Sequence, residues 1–592
     1  MWNPLNRSPK SIAFALILFT TMVTVEAYGT TYYLATTGSD ASGGTISAPW
    51  RTLQYSLANL SAGDALYVRD GVYYESSLPV TLDGTPASPI VVQSYPGEHA
   101  VIDGGAPDLK NAPNSEWELV NPETGLYRST RAFSDTFRGV WLLDYGVHLI
   151  EYGSHGTLSC CGGSSIHSTN DDPEFNTPVY EGPGTEMLED GHMYIRLELG
   201  PWDRYDYEGQ PIRFPTDTDP NHHRMNLIST ETLLTLNNAS HLVFKNLEFM
   251  GTGTVAEWEN DTHHIVFEGC TIHHKTYGFI FRSARDSEIR DCVFDGGLPE
   301  YVYWTDVKNC PTECGEAAPE FQEFALAGPM TNFLIHHNTF QNAMDNLMIA
   351  GGTNISVTDN VFRWVRDDAI NVSGGAEVEI VRNLMWHVSE GISGVGSGGD
   401  VYAHHNVIDT SYPQRIGRPG HYREGLQYAP WGHISPFSRH GGTGGTWRVY
   451  NNTILTRDGG RCMGLAAMPS DAYVYNNLFY APDHTCVFDA IRDHYRGNAY
   501  WQLEADATYS GQDKIDPGFD IHVIDDPNFD KETVWDRYRP TSRELATLGA
   551  AYDGLPWPGT EAVTYRGAMP PRTMSANGLP PRILLLLRDG EE

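Results

Sequence analysis

Carboxylate side chains recur at one offset along the middle of the chain, seven or eight residues after an asparagine. They are Asp345 after Asn338, Asp367 and Asp368 after Asn360, and Glu390 after Asn383. Should consecutive repeats stack, these side chains are expected on one exposed face of a groove, within reach of His387. Like charges there repel and require protons, a cation or basic neighbours. A raised pKa would make one carboxyl a general acid, and a bound Ca²⁺ would take Asp367, Asp368 and Glu390 as ligands. Solvated turn residues of an acidic protein are the alternative.

Two further groups near these carboxylates are candidates for moving protons. His387 lies four residues after Asn383, and Lys275 follows His274 in an earlier repeat. We take both as candidate catalytic residues beside the four carboxylates. Lys275 lies three or more repeats from Glu390, so a surface lysine without a role is the competing interpretation.

Two histidine pairs, His336–His337 and His404–His405, invite a metal assignment. Neighbouring residues of a strand point to opposite faces, so neither pair is expected to chelate one ion. We interpret both pairs as surface residues of the repeat.

The stretch between Asn406 and Asn452 contains a basic loop rich in aromatic residues. Within residues 411–442, four arginines stand against one glutamate in an otherwise acidic chain. Guanidinium groups bind carboxylate or sulfate bidentately, and aromatic rings stack on sugar rings. The candidate substrate-binding residues are Arg415, Arg418, His421, Arg423, Trp431 and Arg439. Alternatively, the loop clasps the acidic repeats through salt bridges.

Six asparagines at nearly constant intervals predict the architecture that carries these groups. They are Asn338, Asn360, Asn383, Asn406, Asn452 and Asn477, separated by 22, 23, 23, 46 and 25 residues. Each lies in a short apolar segment that alternates with period two, and the frame continues upstream through Cys292, Cys270 and Leu247. A strand-and-turn unit with a period near 23 indicates a solenoid with asparagine amides stacked at one turn. Chance asparagines in loops are the alternative.

Residues 1–27 have the features of a secretory signal peptide. Arg7 and Lys10 precede an apolar run over residues 12–25, which is too short for a membrane span. The chain carries a formal charge of −36, which becomes −37 without Arg7, Lys10 and Glu26. Such a charge argues against nucleic acid and anionic membranes as partners.

The eight cysteines fit an exported protein. Cys270 and Cys292, like Cys462 and Cys486, are spaced by about one repeat, so each pair is expected on neighbouring coils. Disulfides and stacked free thiols both remain open at that distance. A zinc site is not expected, because paired CxxC motifs are missing.

Four segments within residues 30–104 carry a resemblance to known proteins. They are TYYLATTGSD, the helical APWRTLQYSLANL, DALYVRDGVYYE and GTPASPIVVQSYPGEHAVIDG. Together they resemble the opening of secreted, carbohydrate-active β-helix proteins of the pectate-lyase-like superfamily, and the last is most similar to the chondroitinase B and alginate lyase group. The resemblance implies an all-β, right-handed parallel β-helix with an N-terminal capping helix. It also implies, for lyases, a lysine or arginine base assisted by calcium, whereas related openings occur in β-helical glycosidases.

We expect one elongated domain with insertions, because a solenoid grows without enlarging its core cross-section. The predicted parts are the signal peptide at 1–27, a cap with the first coils at 28–104, a side insertion at 105–230, regular coils at 231–502, a closing coil at 503–570 and a disordered tail at 571–592.

The sequence favours a secreted or periplasmic enzyme that degrades a polysaccharide, preferably an acidic (uronate or sulfated) one. In a lyase, Ca²⁺ would acidify the sugar α-proton and Lys275 or an arginine would remove it; the resemblance favours this slightly. In a glycoside hydrolase, two of the four carboxylates would act as acid and as nucleophile or base. A non-catalytic glycan-binding or adhesin β-helix is the alternative from another class. We expect a monomer without nucleic-acid or membrane partners.

Overall fold

The computed structural model describes residues 29–133, 137–152, 165–167, 184–198, 215–273, 277–298, 326–395, 399–410, 435–437, 445–456, 472–481, 494–502, 512–519, 531–552, 557–561 and 563–572. Within them, three sheets wind into a right-handed parallel β-helix in which each coil pairs with the coils before and after it. The predicted fold class is therefore confirmed. None of the helices in these ranges is long and apolar enough to cross a membrane.

The first sheet is parallel throughout, and its spatial order follows the chain order. Its strands in the described ranges are Thr31–Leu34, Ala65–Val68, Ile90–Ser94, Ser240–Lys245, Thr262–Glu268, Ala284–Arg290, Met330–His336, Gly352–Thr358, Val378–Val381, Val401–His404, Trp447–Tyr450, Tyr473–Tyr475 and Tyr495–Arg496. One strand per coil therefore enters this face.

The second sheet is also parallel and carries the candidate site. Its main path is Gly71–Tyr74, Ala100–Asp103, Glu248–Met250, Thr271–His273, Val293–Asp295, Thr339–Ala343, Val361–Ser373, Leu384–Val395, Val407–Asp409, Thr453–Leu455, Leu478–Ala481, Ala499–Gln502 and Asp513–Lys514. Two short strands join its side: Leu347–Ala350 pairs with Val361–Ser373, and Ser435–Phe437 pairs with Leu384–Val395.

The third sheet is mixed, because part of the side insertion joins it. Its path is Val147–His148, Phe137–Leu142, Met225–Asn237, Thr252–Glu259, Tyr277–Phe281 and Leu326–Ala327, and Leu78–Val80 pairs with Met225–Asn237. The insertion also forms a five-stranded side sheet, ordered Ile150–Glu151, Thr185–Glu189, His192–Arg196, Leu126–Ser129 and Trp117–Asn121.

The described helices are short. They are the α-helices Leu53–Ala58 and Lys531–Arg537 and the 3₁₀ helices Pro107–Leu109, Pro220–His222 and Arg543–Ala546. The first begins at Thr52, whose side chain accepts the Tyr55 N–H at 3.2 Å. Its Leu53 and Leu57 are buried in the main core. That it caps the stack stays a prediction.

A left-handed residue followed by a buried amide makes the corner between the first two sheets. Asp359 and Arg382, for example, have φ of +58° and +54°, and they precede Asn360 and Asn383. The Asn383 side-chain oxygen accepts the Asn360 N–H at 3.0 Å, and its nitrogen donates to the Val357 carbonyl at 2.9 Å. The predicted amide stacking is confirmed by these bonds.

These stacked, hydrogen-bonded side-chain amides form a ladder, and the ladder is longer than the six predicted asparagines. Asn498 accepts the Asn477 N–H at 2.9 Å, and Gln512 accepts the Asn498 N–H at 3.1 Å. At the other end, Cys270 and Cys292 are free thiols, and the Cys270 N–H approaches the Cys292 sulfur at 3.4 Å. The free-thiol alternative is therefore the one observed for this pair. The other cysteines, Cys160, Cys161, Cys310, Cys314, Cys462 and Cys486, lie outside the described residues.

The expectation that paired histidines point to opposite faces is wrong. His337 and His405 occupy the left-handed corner position, with φ of +56° and +54°. This conformation brings both rings of a pair to the same side, so the Nδ1 atoms of His336 and His337 lie 2.7 Å apart, and those of His404 and His405 lie 2.9 Å apart. The period-two rule holds only where the backbone stays extended.

Two apolar clusters attach the outer segments to the β-helix. The cluster of the side insertion, which contains Val140 and Leu149, also includes Leu298 and Met344 from the coils. A second cluster joins Val534 and Tyr538, at the C-terminal α-helix, to the outer side of the second sheet. Both segments are therefore held by packing against particular coils.

Candidate active site

The candidate site follows a second corner, which lies within the strands of the second sheet. Asn342, Trp364 and His387 occupy equivalent positions of three successive coils, with φ of +54°, +57° and +55°. The Trp364 and His387 rings stack with 4.8 Å between centroids and 5° between planes. This spacing is the separation of adjacent strands, so the residues that follow the corner also lie one coil apart.

One extra residue in the middle coil brings a second carboxylate into the site. Strand Val361–Ser373 pairs Val365 with Val388 but Asp368 with Glu390, so it has one more residue than its neighbour in this interval. This is a β-bulge, which re-aims side chains locally. It brings Asp368 rather than Asp367 into register with Glu390, although Asp367 is the residue that shares the seven-residue offset from an asparagine with Asp345 and Glu390.

Backbone hydrogen bonds fix Asp368 between its neighbours. The Asp368 N–H donates to the Asp345 carboxylate at 3.0 Å, and its carbonyl accepts the Asn346 N–H at 3.0 Å. The Asn371 amide donates to Asp368 Oδ2 at 2.8 Å. Carboxylate oxygens of Asp367, Asp368 and Glu390 lie within 4.8 Å of one another. The four predicted carboxylates therefore belong to one cluster.

The cluster is buried, which corrects the expectation of an exposed face. Asp345, Asp368 and Glu390 are 7%, 8% and 3% exposed, and Asp367 is half-buried. Burial raises the pKa of Asp368 well above its usual range, and the charges of Glu390, Asp367 and Asp345 raise it further.

Unsatisfied polar atoms lie in the same place. Asp368 Oδ1 and both side-chain atoms of Asn346 have no hydrogen-bond partner among the described residues. Buried polar atoms are seldom left in this state, because each carries a desolvation cost. Since Asp368 Oδ1 belongs to the acidic cluster itself, a ligand with positive charge would give this oxygen a partner and would reduce the repulsion between the carboxylates.

The donor set of the cluster suits a hard cation. Ca²⁺ takes carboxylate oxygens in flexible geometry, whereas Mg²⁺ demands a near-ideal octahedron and keeps several waters. The carboxylate oxygens lie within 4.8 Å of one another, so one Ca²⁺ ion could reach all three side chains. The ligands would be Asp367, Asp368 and Glu390, the three that the sequence indicated.

The remaining predicted residues divide into two groups. His387 is 2% exposed and lies against aromatic rings, with its centroid 4.2 Å from that of Trp386. This environment differs from the open groove expected for a catalytic histidine. The residues whose predicted roles lie outside the described ranges are Lys275, Arg415, Arg418, His421, Arg423, Trp431 and Arg439.

Sequence reasoning missed two asparagines. Asn346 directly follows Asp345, and Asn371 lies three residues after Asp368. Both are buried, and Asn371 contacts the cluster directly. A polar residue in a strand that is otherwise apolar, as in Ala369-Ile370-Asn371-Val372, was the available signal for Asn371.

No family model matches the chain. It is similar to pectate lyase PEL9 of Emericella nidulans, with 32% identity over 120 residues, which are 20% of this chain and 29% of that protein. It is also similar to the uncharacterized protein YwoF of Bacillus subtilis, with 32% identity over 157 residues, which are 26% of this chain and 31% of that protein. The chain thus spans less than a third of the length of these curated relatives.

Among solved structures, the chain is similar to a complex of XylC with xylose, with a TM-score of 0.46, 14% identity and coverage of 82% of this chain and 87% of that one. It is also similar to pectate lyase Pel9A, with a TM-score of 0.35, 12% identity and coverage of 91% and 96%. The proteins that this chain resembles in sequence or structure thus include pectate lyases and XylC, which was solved in complex with xylose.

Proposed function

We propose that this protein is a secreted, calcium-assisted polysaccharide lyase that acts on an acidic glycan containing uronate. The observation that carries the proposal is the buried cluster of Asp367, Asp368 and Glu390, whose oxygens lie within 4.8 Å of one another. The 120-residue similarity to pectate lyase PEL9 supports the same reaction class. The signal-peptide pattern at residues 1–27 supports export.

In this proposal, the residues of the cluster have different tasks. Asp367, Asp368 and Glu390 hold the cation, and Asp345 orients Asp368 through its backbone N–H. When bound, Ca²⁺ would neutralise the substrate carboxylate and so acidify the proton on the adjacent sugar carbon. The Asn371 amide fixes one Asp368 oxygen and leaves Oδ1 directed to other partners.

Lys275 or an arginine of the basic loop would accept the sugar proton. Its removal would expel the glycosidic oxygen of the neighbouring sugar, which leaves as a hydroxyl after taking up a proton. A carbon–carbon double bond then forms in the ring that keeps the carboxylate. Arg415, Arg418 and Arg423 are the proposed docking groups for other carboxylates of the polymer.

A product assay tests this proposal. The full chain is incubated with polygalacturonate, alginate, chondroitin sulfate and neutral xylan, each with Ca²⁺ or with a chelator. We expect ultraviolet absorbance from the unsaturated uronate with one acidic polymer, dependence on Ca²⁺ and no activity on xylan. Binding of a polymer without any product would instead support the adhesin alternative.

One observation favours a glycoside hydrolase as the second candidate. The raised pKa of Asp368 is suited to a general acid, and Glu390 on the adjacent coil would serve as nucleophile or base. New reducing ends without ultraviolet absorbance, formed equally well in the presence of a chelator, would select this mechanism and reject the lyase.

A further inference from the structure

Three histidines form a compact cluster on the outer side of the first sheet, apart from the carboxylate site. Ring nitrogens of His241, His263 and His264 lie within 4.8 Å of one another. The Nδ1 atoms of His263 and His264 are 2.7 Å apart, and the His241 and His264 rings stack with 4.4 Å between centroids. The mechanism proposed above does not use any of them.

The repeat itself brings these rings together. Ser240 pairs with His263 and Leu242 with Ile265, so His241 lies beside His264 on the next coil. His241 and His264 are left-handed, with φ of +51° and +54°. The left-handed turn carries the His264 ring to the side of its neighbour His263. Two adjacent coils thus supply three imidazoles to one point.

The surroundings favour a cation. The Arg285 guanidinium forms ion pairs with the carboxylates of Asp261 and Asp286, at 2.7 and 2.8 Å. One arginine and two aspartates leave one negative charge in excess beside the histidines. Burial, followed by the charges of neighbouring histidines, lowers the pKa of His241. Burial likewise lowers the pKa of His264. Neutral imidazole is the form that binds metals.

The other histidine pairs of the described coils form hydrogen bonds to carboxylates. His336 and His404 each direct Nε2 to a carboxylate, Glu288 at 2.7 Å and Glu379 at 3.0 Å. Within the residues that the structure describes, neither pair belongs to a group of three possible metal ligands. Among these three pairs of the described residues, His263–His264 is the one with a third imidazole beside it, so it has a ligand set of its own.

We propose that His241, His263 and His264 bind one divalent transition-metal ion of the zinc class and thereby link two adjacent coils. Three imidazoles match the ligand preference of Zn²⁺ and its neighbours, whereas Ca²⁺ prefers the oxygens of the carboxylate cluster. The sequence analysis did not expect a zinc site, because it looked for paired CxxC motifs. That criterion applies to cysteine ligands and does not detect histidines that two adjacent coils bring together.

Only small ring movements are needed. Tetrahedral Zn²⁺ with nitrogens at about 2.0–2.1 Å sets ligand atoms roughly 3.4 Å apart. The 2.7 Å contact of His263 with His264 would open slightly, and the proton between the two Nδ1 atoms would move to Nε2 of the ring that carried it. The His241 ring would close on the same ion, with water or a nearby carboxylate as the fourth ligand.

Calorimetric titration of the full chain with ZnCl₂ tests the site. The protein carries no histidine tag, is stripped with a chelator and is held in excess Ca²⁺ to occupy the carboxylate cluster. We expect one Zn²⁺ per chain and a rise of the melting temperature on binding. In His264→Asn, affinity falls at least tenfold and the rise disappears. Asparagine suits this position because Asn332 and Asn354 take the same left-handed φ on later coils.

His337→Asn is the matched control, since it breaks a pair with the same 2.7 Å contact at another left-handed position. It should bind Zn²⁺ like the unaltered chain, and so should Asp368→Asn. No stoichiometric Zn²⁺ binding, undiminished affinity in His264→Asn, or equal loss in either control would overturn the proposal.

Discussion

Asp368 occupies surroundings that oppose its own charge. It is buried, three carboxylates surround it, and one of its oxygens has no hydrogen-bond partner among the described residues. Residues held in such unfavourable states cluster at functional sites, where stability is exchanged for chemistry. The free energy lost here is recovered when a cation binds, because the same charges then attract it.

Asp368→Asn should therefore stabilise the metal-free protein while it abolishes activity. We expect a gain on the order of 1 kcal/mol, since the amide keeps the shape and removes one repelling charge. Turnover should fall at least a hundredfold, and Ca²⁺ should no longer raise the melting temperature. Urea unfolding in a chelator and a turnover assay with Ca²⁺ measure the two effects.

Asp70→Asn, an exposed carboxylate remote from the cluster, is the control and should change neither quantity. A metal-free Asp368→Asn protein that is less stable than the unaltered chain would contradict the electrostatic account of this residue.

The sequence predicted which carboxylates meet but not how they are held. Counting from the asparagines selected Asp345, Asp367, Asp368 and Glu390, because each coil repeats the same path. Their burial could not be read in this way, since it depends on distant segments such as the insertion that covers Met344. The bulge was also hidden, because one extra residue falls within the ordinary variation of loop length between coils.

At the scale of elements, the amide ladder replaces a turn that each coil would otherwise have to stabilise alone. Asn383 accepts two bonds from Asn360 and donates to the Asn406 oxygen and to the Val357 and Val381 carbonyls. Every internal amide thus joins three coils. The ladder is consequently weaker at its ends than in its middle.

Asn383→Ala should destabilise the protein by about 3 kcal/mol, because it leaves buried donors and acceptors without partners. Asn338→Cys at the upstream end should cost clearly less, since Cys292 before it already fills the same position with a thiol. Urea midpoints of the two variants measure the difference. Equal costs would show that the amides act singly rather than as a ladder.

Asp359, at the corner before Asn360, ties the C-terminal helix to the coils. Arg382 donates to its carboxylate at 2.9 Å, and Lys531 donates to its carbonyl at 2.6 Å. Burial raises the pKa of Asp359, but the hydrogen bond from Arg382 and the charges of Arg382 and Lys531 outweigh burial and hold the pKa below its usual value. Because the unfolded chain then takes up the proton first, this stabilisation is present above about pH 4 and is lost as the pH falls through the folded-state pKa.

Asp359→Asn should lower stability by on the order of 1 kcal/mol at neutral pH and leave it unchanged near pH 2. Asparagine tolerates the left-handed φ of +58°, so the backbone is preserved. Unfolding free energies measured across this pH range test the sign, with the exposed corner residue Asp291→Asn as control. A difference that does not change with pH would contradict the ion-pair explanation.

At the scale of the whole molecule, the charge of −36 repels the acidic polymer that the proposed function requires. A local basic surface must therefore supply docking, and the stretch with Arg418 and Arg423 is the predicted one. These arginines lie outside the described residues. The prediction thus rests on their density in an acidic chain.

Replacing Arg418 and Arg423 together by alanine should lower kcat/KM on a polyuronate by roughly tenfold or more, since bidentate contacts to carboxylates are lost. Turnover of a neutral polymer should change little, and high salt should mimic the variant. Arg51→Ala, which alters an exposed arginine of the first coils, is the control. Unchanged kinetics on the acidic polymer would leave the loop with a structural role.

The architecture was readable because a solenoid repeats its constraints. Each coil needs a left-handed corner, a buried amide and an apolar strand, and these needs recur in the sequence about every 23 residues. The attachment of the side insertion and of helix Lys531–Arg537 was not readable, because their apolar partners lie far away in the chain. A repeat in the sequence predicts contacts between adjacent coils. It does not predict the contacts of the insertion and of the C-terminal helix, because these do not recur from coil to coil.

The attachment at Met344 also sets an order of assembly. Coils add to one another as the chain emerges, since each pairs only with its neighbours. The insertion does not pack in this sequential way. Its apolar cluster is complete only once Met344 has been synthesised, more than a hundred residues after Leu227. We therefore expect the insertion to close shortly before the coil with Asp368 stacks on the coil with Asp345. Assembly of the acidic site would then follow the covering of a hydrophobic surface that formed far earlier in the chain.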